Sequence, residues 1–324
     1  MTVHANTFGR VLVTGGTGFV GGHLCPLLAQ AWPHAQRRLL VRPGEGTERP
    51  GFERRPVDLC DAGALEEEVA RFRPDLVVHL AAQSSVGAAR DATGQTWRVN
   101  VGATLALAQA CARHAPAATL FFASTAEVYG ASLNEGPADE SAVPRPANCY
   151  GRSKWAAEMA LGDVLGPEAT LVIARSFNHT GPGQDTRFAV PAFAAQIAGI
   201  EGGALTPELR VGNLEARRDF LDVRDVVEAY VAMIRTAPKS GRDVFNVASG
   251  VGRRIGDVLE GLRALSTRPF AILLDPARDR PAEIASAVGR ADKLRARTGW
   301  APRVDWDATL RDVLDDHRRR AGLR

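Results

Sequence analysis

The sequence lacks the features that would place it in a membrane or in a disulfide-stabilised class. None of its 324 residues lies in a run approaching the ~18 uncharged apolar residues that a membrane span needs. The first ten residues contain no apolar signal-peptide core. The four cysteines are far apart and form no CxxC pair, which argues against a disulfide framework or a zinc site. We therefore expect a reducing, cytoplasmic compartment, no membrane partner and no metal.

Net charge is also small, at +3, and the longest run of basic side chains is Arg318-Arg319-Arg320. Nucleic acid is therefore not an expected partner. Only three of the 40 basic residues are lysines, and the arginines suit phosphate and carboxylate ligands because a guanidinium group binds them bidentately. The hydrophobic content of 45% is enough for a sizeable core in one large or two modest domains.

Short apolar runs alternate with longer helical patterns through the first half of the chain. This spacing predicts parallel βαβ units, and therefore an α/β fold with a doubly wound parallel Rossmann sheet. We expect a Rossmann domain over 1–175, with 215–248 returning to it, and a smaller mixed α/β C-terminal substrate domain mainly over 176–324. The predicted strands are Arg10–Thr14, Arg38–Arg42, Leu76–Leu80, Thr119–Ala123 and Thr170–Ala174, and the predicted helices lie near 18–31, 62–72, 97–114 and 150–165.

A glycine-rich segment, GGTGFVG over 15–21, joins the first predicted strand to the first helix. Glycines in this context permit a tight turn, close approach of a pyrophosphate and close packing of helix on strand. The helix then presents N–H groups and a positive dipole end to the phosphates. The segment predicts a dinucleotide site, whose contacts are expected from Gly15, Gly18, Phe19, Val20 and Gly21.

The end of the second predicted strand bears on which dinucleotide is bound. Arg42 stands where an acidic residue would hold the ribose hydroxyls of NAD, and an arginine there accommodates the 2′-phosphate of NADP. NADP(H) is therefore favoured over NAD(H), although Arg37 and Arg38 are also candidates. Asp58 and Leu59 follow the next short apolar run and could place a carboxylate and an apolar wall beside the adenine.

A phenol and an ammonium group, those of Tyr150 and Lys154, are spaced to lie on one face of a helix. A nearby cation lowers the pKa of a tyrosine, so this pair suits proton transfer. Ser124 and Thr125 end an apolar strand, where a hydroxyl can orient a substrate oxygen or simply cap a helix. Glu127 is a candidate general base, anchor or solvated side chain, whereas His79 lies in a buried strand pattern and is expected in the core.

Together these segments resemble the extended short-chain dehydrogenase/reductase superfamily. The similarity extends over nearly the whole chain, to Trp300, and is closest to the branch that holds GDP-mannose 4,6-dehydratase and GDP-6-deoxy-4-keto-mannose reductase. The further segments that carry this resemblance are AAQSS over 81–85, RSFNHTGPGQ over 175–184, VGNLEARRDF over 211–220 and RPAE over 280–283.

The resemblance implies reduction of the C4 ketone of a GDP-4-keto-6-deoxyhexose by NADPH, with a product such as GDP-D-rhamnose. Tyr150 would donate the proton, and Lys154 would lower the pKa of Tyr150 and hold the nicotinamide ribose, so that both residues would also contact the cofactor. Thr125, with Ser124, would orient the C4 oxygen. The alternative is a 4,6-dehydratase that uses Glu127 as a base beside Thr125. The GGTGFVG loop and the RDFLDV segment over 218–223 resemble the reductase more than the dehydratase. A non-catalytic NADP sensor would instead be expected to lack the Tyr/Lys pair.

The resemblance also implies further contacts and an assembly. Ala81 and Ala82 would line the cofactor site. Small residues over 101–113 and an alanine cluster in 150–165 would form a homodimer interface, within a dimer or a tetramer. The residues expected to bind the sugar nucleotide are Ser84, Asn178, Arg210, Arg218, Arg280 and Glu283.

Overall fold

The computed structural model describes residues 6–276 and 284–323, and their strands follow the predicted alternation in the first half of the chain. The strands are β1 (Arg10–Thr14), β2 (Gln36–Val41), β3 (Glu53–Pro56), β4 (Leu76–His79), β5 (Thr119–Thr125), β6 (Thr170–Ser176), β7 (Asn178–Thr180), β8 (Glu208–Val211), β9 (Arg217–Asp222), β10 (Gly241–Val247), β11 (Gly252–Arg254), β12 (Ala271–Leu274) and β13 (Ser286–Ala287).

The helices connect these strands. They are α1 (Phe19–Ala31), α2 (Ala62–Phe72), α3 (Val86–Asp91), α4 (Thr93–Trp97), α5 (Thr104–His114), α6 (Cys149–Val164), α7 (Ala189–Glu201), α8 (Val223–Arg235), α9 (Ile255–Ala264), α10 (Asp292–Thr298) and α11 (Trp306–Arg320). The predicted helix near 97–114 is divided, because a π-helix over Arg98–Ala103 precedes α5.

Seven parallel strands form the central sheet in the order β10-β6-β5-β4-β1-β2-β3. Apolar side chains from both faces of the sheet enter two separate buried clusters, so helices cover it on both sides. This confirms the predicted doubly wound α/β fold. The β1, β4 and β5 strands lie side by side, which brings their carboxyl ends to one edge of the sheet.

The sequence analysis missed the edge strand β3, whose residues Glu-Arg-Arg-Pro carry no apolar pattern. It pairs with β2 through the backbone, and its charged side chains suit an edge because they discourage pairing with another chain.

The second half of the chain builds a smaller unit. There β9 pairs with β7, β11 and β13, while β8 pairs with β12. Helices α7, α9 and α11 enclose its own apolar cluster. Within the segment 215–248, α8 and β10 join the central sheet's unit, whereas β9 belongs to the smaller sheet.

A buried ion pair holds α6 against the central sheet. The Glu158 carboxylate accepts hydrogen bonds from Arg175 on β6, the shortest of them 2.7 Å, and both side chains are almost completely buried. Arg242 on β10 approaches the same carboxylate at 3.4 Å. Removing one member of such a pair leaves an uncompensated charge in the interior.

We therefore expect Glu158→Gln to lower the free energy of unfolding by about 3–5 kcal/mol, because Arg175 stays buried without a counter-charge. The matched control is Glu66→Gln, which removes an exposed carboxylate that pairs with Arg113 and should cost less than about 1 kcal/mol. Urea denaturation measures both changes. Equal losses of unfolding free energy in the two variants would contradict the stabilising role of the Glu158–Arg175 pair.

Candidate active site

The glycine loop lies at the carboxyl edge of the sheet, where the chain passes closest to the end of β4. Gly15 has a φ of +71°, and a Cβ atom there would lie 2.5 Å from the Ala81 backbone nitrogen. A Cβ atom on Gly21 would lie 2.4 Å from the Gly16 Cα. Side chains are thus excluded at both positions, and the loop can approach a ligand through its backbone.

The loop fits an anionic ligand. Helix α1 starts after Gly18, and no side chain of the described residues caps its N-terminus. Its first turn contains no acidic residue, so nothing within the turn offsets the positive end of the helix dipole. Phe19 stacks on His179 at 6.2 Å between ring centroids, and Phe19 and Val20 both pack partly buried against the core. A dinucleotide pyrophosphate is the ligand that this arrangement suits.

The three arginines near the end of β2 differ in whether their guanidinium groups are already engaged by other residues. Arg37 donates to the backbone oxygens of Trp32 and Gly51, and Arg38 is buried between two glutamates. Arg42 follows β2 with 84% of its side chain exposed, and Glu45 lies 3.8 Å from it. Arg42 is therefore the one of the three that is available to a ligand.

Arg49 was missed by the sequence analysis. Its Nε donates to the Gly16 oxygen at 3.0 Å and its Nη2 to the Thr17 oxygen at 3.0 Å. Its Nη1 donates to the Glu48 backbone oxygen at 3.3 Å. A cation over a glycine loop adds to the attraction for phosphate, but one arginine among 37 carries no sequence pattern that would single it out.

The other predicted cofactor residues lie just beyond β3 and β4. Asp58 is exposed beyond β3 and accepts from the Cys60 backbone N–H, with Leu59 half-buried beside it. Ala81 and Ala82 are half-buried just beyond β4.

Tyr150 and Thr125 are brought together at the centre of this edge. Tyr150 lies in the first turn of α6 and is buried, and Thr125 ends β5. Burial raises the pKa of the Tyr150 phenol well above its ordinary value, a hydrogen bond with the Thr125 side chain acts against this, and the charge of Glu127 adds to it. The phenol therefore stays protonated at neutral pH and can act as a proton donor.

Lys154 lies one helical turn beyond Tyr150, with its Nζ atom 3.9 Å from the centroid of the Phe122 ring. Burial lowers its pKa to about 7, against the opposing charge of Glu158. The expected lowering of the Tyr150 pKa by Lys154 is not seen here. The physical reason is that burial, which disfavours the charged form of either group, dominates at both.

Ser124 and Thr125 face opposite sides of β5, as adjacent strand residues do. The Ser124 hydroxyl donates to Glu158 at 2.5 Å, so it belongs to the buried ion pair that anchors α6. Of the two hydroxyls, the structure brings only that of Thr125 to Tyr150.

Glu127 lies beside this pair and is half-buried. Its Oε2 atom accepts from the Asn148 side-chain nitrogen at 2.7 Å. Arg218 on β9 is close enough for the Glu127 charge to act on it, although burial is the larger effect and lowers the pKa of Arg218. The sequence analysis missed Asn148, which a capping pattern before a helix could have indicated.

The other predicted substrate residues that the structure describes belong to separate segments of the chain. Ser84 and Asn178 are exposed beyond β4 and at the start of β7. Arg210 is exposed on β8, with Glu208 at 3.8 Å. Arg280 and Glu283 lie outside the described residues.

His79 is a core residue, as predicted. The Thr104 hydroxyl donates to the Asn100 oxygen, so it must accept from Nε2 of His79, which lies 2.9 Å away. Nδ1 is then free to accept from the Thr14 hydroxyl at 2.6 Å. Burial lowers the pKa of His79 to about 3, so the ring is neutral.

The described residues contain no cluster of three or more side chains that could hold a metal ion. They also contain no helix long and apolar enough to cross a membrane.

Comparison with known proteins places this site in a family. A family model described as GDP-mannose 4,6 dehydratase matches residues 12–313. A GDP-6-deoxy-D-mannose reductase from Pseudomonas aeruginosa is 35% identical over 95% of this chain and 96% of its own. A UDP-glucose 4-epimerase from Rhizobium meliloti is 29% identical over 96% of this chain and 98% of its own.

Solved structures agree. RMD from Pseudomonas aeruginosa, complexed with NADPH, has a TM-score of 0.81 and 32% identity over 96% of this chain and 99% of its own. The UDP-glucose 4-epimerase of Thermus thermophilus, complexed with NAD, has a TM-score of 0.81 and 31% identity over 95% of this chain and 99% of its own. The chain therefore belongs to the GDP-mannose 4,6-dehydratase family of extended short-chain dehydrogenase/reductases.

Proposed function

We propose that this protein reduces the C4 ketone of GDP-4-keto-6-deoxy-D-mannose with NADPH, which yields GDP-D-rhamnose. The observation that carries the proposal is that the buried Tyr150 phenol at the start of α6 lies close enough to the Thr125 side chain, at the end of β5, for Thr125 to act on its pKa. A protonated phenol and a hydroxyl at one point suit a carbonyl oxygen that gains a proton. The substrate is inferred from the reductase that is 35% identical to this chain.

Each residue of this centre has a separate role in the proposed reaction. Thr125 orients the C4 oxygen, and Tyr150 donates its proton to that oxygen as negative charge develops on it. The cofactor, when bound, supplies the hydride. Lys154, with a pKa of about 7, can carry the positive charge that stabilises the phenolate left behind. Ser124 has no direct part in this proposal, because its hydroxyl is engaged by Glu158.

NADP(H) is the cofactor that this edge suits best, because exposed Arg42 follows β2 and Arg49 lies over the glycine loop. The backbone of the loop, with Asp58, Leu59, Ala81 and Ala82, would line the rest of the site. Arg218, with Arg210 and Arg280, would meet the diphosphate, since guanidinium groups bind phosphate bidentately. Ser84, Asn178 and Glu283 complete the proposed sugar-nucleotide site.

A homodimer is part of the proposal, within a dimer or a tetramer. Val86, Trp97 and Met159 are large apolar side chains that are 39–49% exposed on α3, α4 and α6, which pack together. A second copy covering this surface would bury them. The cytoplasm is the expected compartment, since the four cysteines are unpaired.

The specific alternative is a 4,6-dehydratase, favoured by the position of Glu127 near Thr125 and Tyr150. The assay that separates the two gives the protein GDP-mannose alone, or GDP-4-keto-6-deoxymannose with NADPH. Stoichiometric loss of NADPH with the keto sugar only, and a rhamnose product by NMR, is the expected result. Conversion of GDP-mannose without net loss of NADPH would instead establish the dehydratase.

Replacing Tyr150 by Phe removes the proton donor while keeping the ring. We expect kcat to fall by about 100-fold or more, the usual contribution of a positioned acid, with NADPH affinity unchanged. Stopped-flow turnover and NADPH fluorescence titration measure the two effects. Turnover at the wild-type rate would refute the mechanism.

Arg42→Asp should lower the ratio of kcat/KM for NADPH to that for NADH by about tenfold or more, because an acidic group repels the 2′-phosphate and accepts from ribose hydroxyls. Arg71→Asp on α2 makes the same change of charge at another exposed arginine and serves as the control. An unaltered ratio in the Arg42 variant would exclude that residue from cofactor selection.

A further inference from the structure

Asn148 uses both ends of its side-chain amide. Its Oδ1 atom accepts from the Gly151 backbone N–H at 2.8 Å and so caps the N-terminus of α6. Its Nδ2 atom donates to Oε2 of Glu127 at 2.7 Å. One side chain therefore connects the carboxylate to the helix that carries Tyr150 and Lys154.

The backbone of α6 also lies close to the backbone of the turn that contains Glu127. A Cβ atom on Gly151 would lie 2.5 Å from the Glu127 backbone oxygen and 3.2 Å from the Pro146 Cβ. The first turn of α6 thus packs directly on the 3₁₀ turn over Ala126–Val128 that contains Glu127. With its backbone packed and Oε2 engaged, the Glu127 carboxylate has little freedom to turn.

The remaining carboxylate oxygen, Oε1, receives no hydrogen bond from any described residue. The charge of Glu127 acts on Arg218 of β9 and on Tyr150 of α6, so both side chains lie within electrostatic range of it. An oxygen that is fixed beside the proton donor and left without a donor of its own can accept a hydrogen bond from a sugar hydroxyl.

We propose that Asn148 is a positioning residue for Glu127. It holds the Glu127 carboxylate so that Oε1 of Glu127 accepts a hydrogen bond from a ring hydroxyl next to the reacting carbonyl carbon. This inference rests on the proposed function, because it takes the sugar to lie between Tyr150 and Glu127. Glu127 is then a substrate-binding residue. The enzyme is expected to prefer sugars with a free hydroxyl on the carbon next to the carbonyl.

Three variants separate this role from helix capping. Asn148→Ser and Asn148→Asp both keep a good N-cap, since serine and aspartate cap as well as asparagine. Serine loses the donor to Glu127 without adding charge, whereas aspartate places a second carboxylate against it. Glu127→Gln, alone and combined with Asn148→Ser, tests whether Asn148 acts through Glu127.

For Asn148→Ser we expect KM for the keto sugar to rise about tenfold, as loss of a hydrogen bond to a charged acceptor predicts. The kcat value, KM for NADPH and melting temperature should change little. The same substitution should have no further effect on KM in the Glu127→Gln background. An unchanged KM, or a full additional loss in that background, would overturn the proposal.

For Asn148→Asp we expect the acidic limb of the kcat/KM profile to move to higher pH by one unit or more. Two adjacent carboxylates cannot both ionise easily, so the pair keeps a proton to higher pH and Glu127 is a poorer acceptor below that point. The serine variant loses one donor to the carboxylate but adds no second charge, so it should move the limb by less than the aspartate variant does. A superimposable profile for the aspartate variant would contradict the proposal.

Binding of GDP-mannose, which has the ring hydroxyls but no ketone, gives a readout that is independent of turnover. Calorimetry should show about tenfold weaker binding to Asn148→Ser than to the wild type. If the wild type binds GDP-mannose but does not oxidise NADPH with the keto sugar, the proposed reduction fails. The comparison of affinities then still decides the role of Asn148, and equal affinities would reject it.

Discussion

The buried pair of Glu158 and Arg175 is the constraint on which the geometry of the site depends. It joins α6 to β6 where neither side chain meets solvent, and Ser124 on β5 donates to the same carboxylate. Because every one of these polar groups would lose its partner if the helix moved, α6 has one permitted position on the sheet. Tyr150 and Lys154 precede Glu158 on that helix, so their placement at the carboxyl edge follows from this contact.

Burial then determines the electrostatics of the chemical centre. It raises the pKa of the Tyr150 phenol and lowers that of Lys154, so the structure avoids placing unpaired charges where water is excluded. The edge that carries the glycine loop is different, since Arg42 is exposed and Arg49 is held against backbone oxygens. This rim therefore carries positive charge, whereas burial in the interior favours the neutral forms of Tyr150 and Lys154.

Most of the first half of the fold could be predicted because its signals are local. Apolar runs bounded by helical periodicity placed β1, β4 and α2 within a residue or two of their observed bounds. The position of the glycine loop could also be predicted from the sequence, since Gly15 and Gly21 have no room for a side chain. The strand β3 could not be found, because an edge strand needs only its backbone to pair and its side chains carry no period.

The sequence by itself determined the doubly wound sheet, the glycine loop and the presence of a phenol and an ammonium group one helical turn apart. Only the tertiary structure decided which hydroxyl of Ser124 and Thr125 meets the phenol, and that Asn148 bridges to Glu127. The physical reason is that local patterns come from backbone geometry and solvent exposure. The partner of a buried polar group is instead determined by how distant segments pack. Ser124 and Glu158, for example, are 34 residues apart in the sequence and share a hydrogen bond.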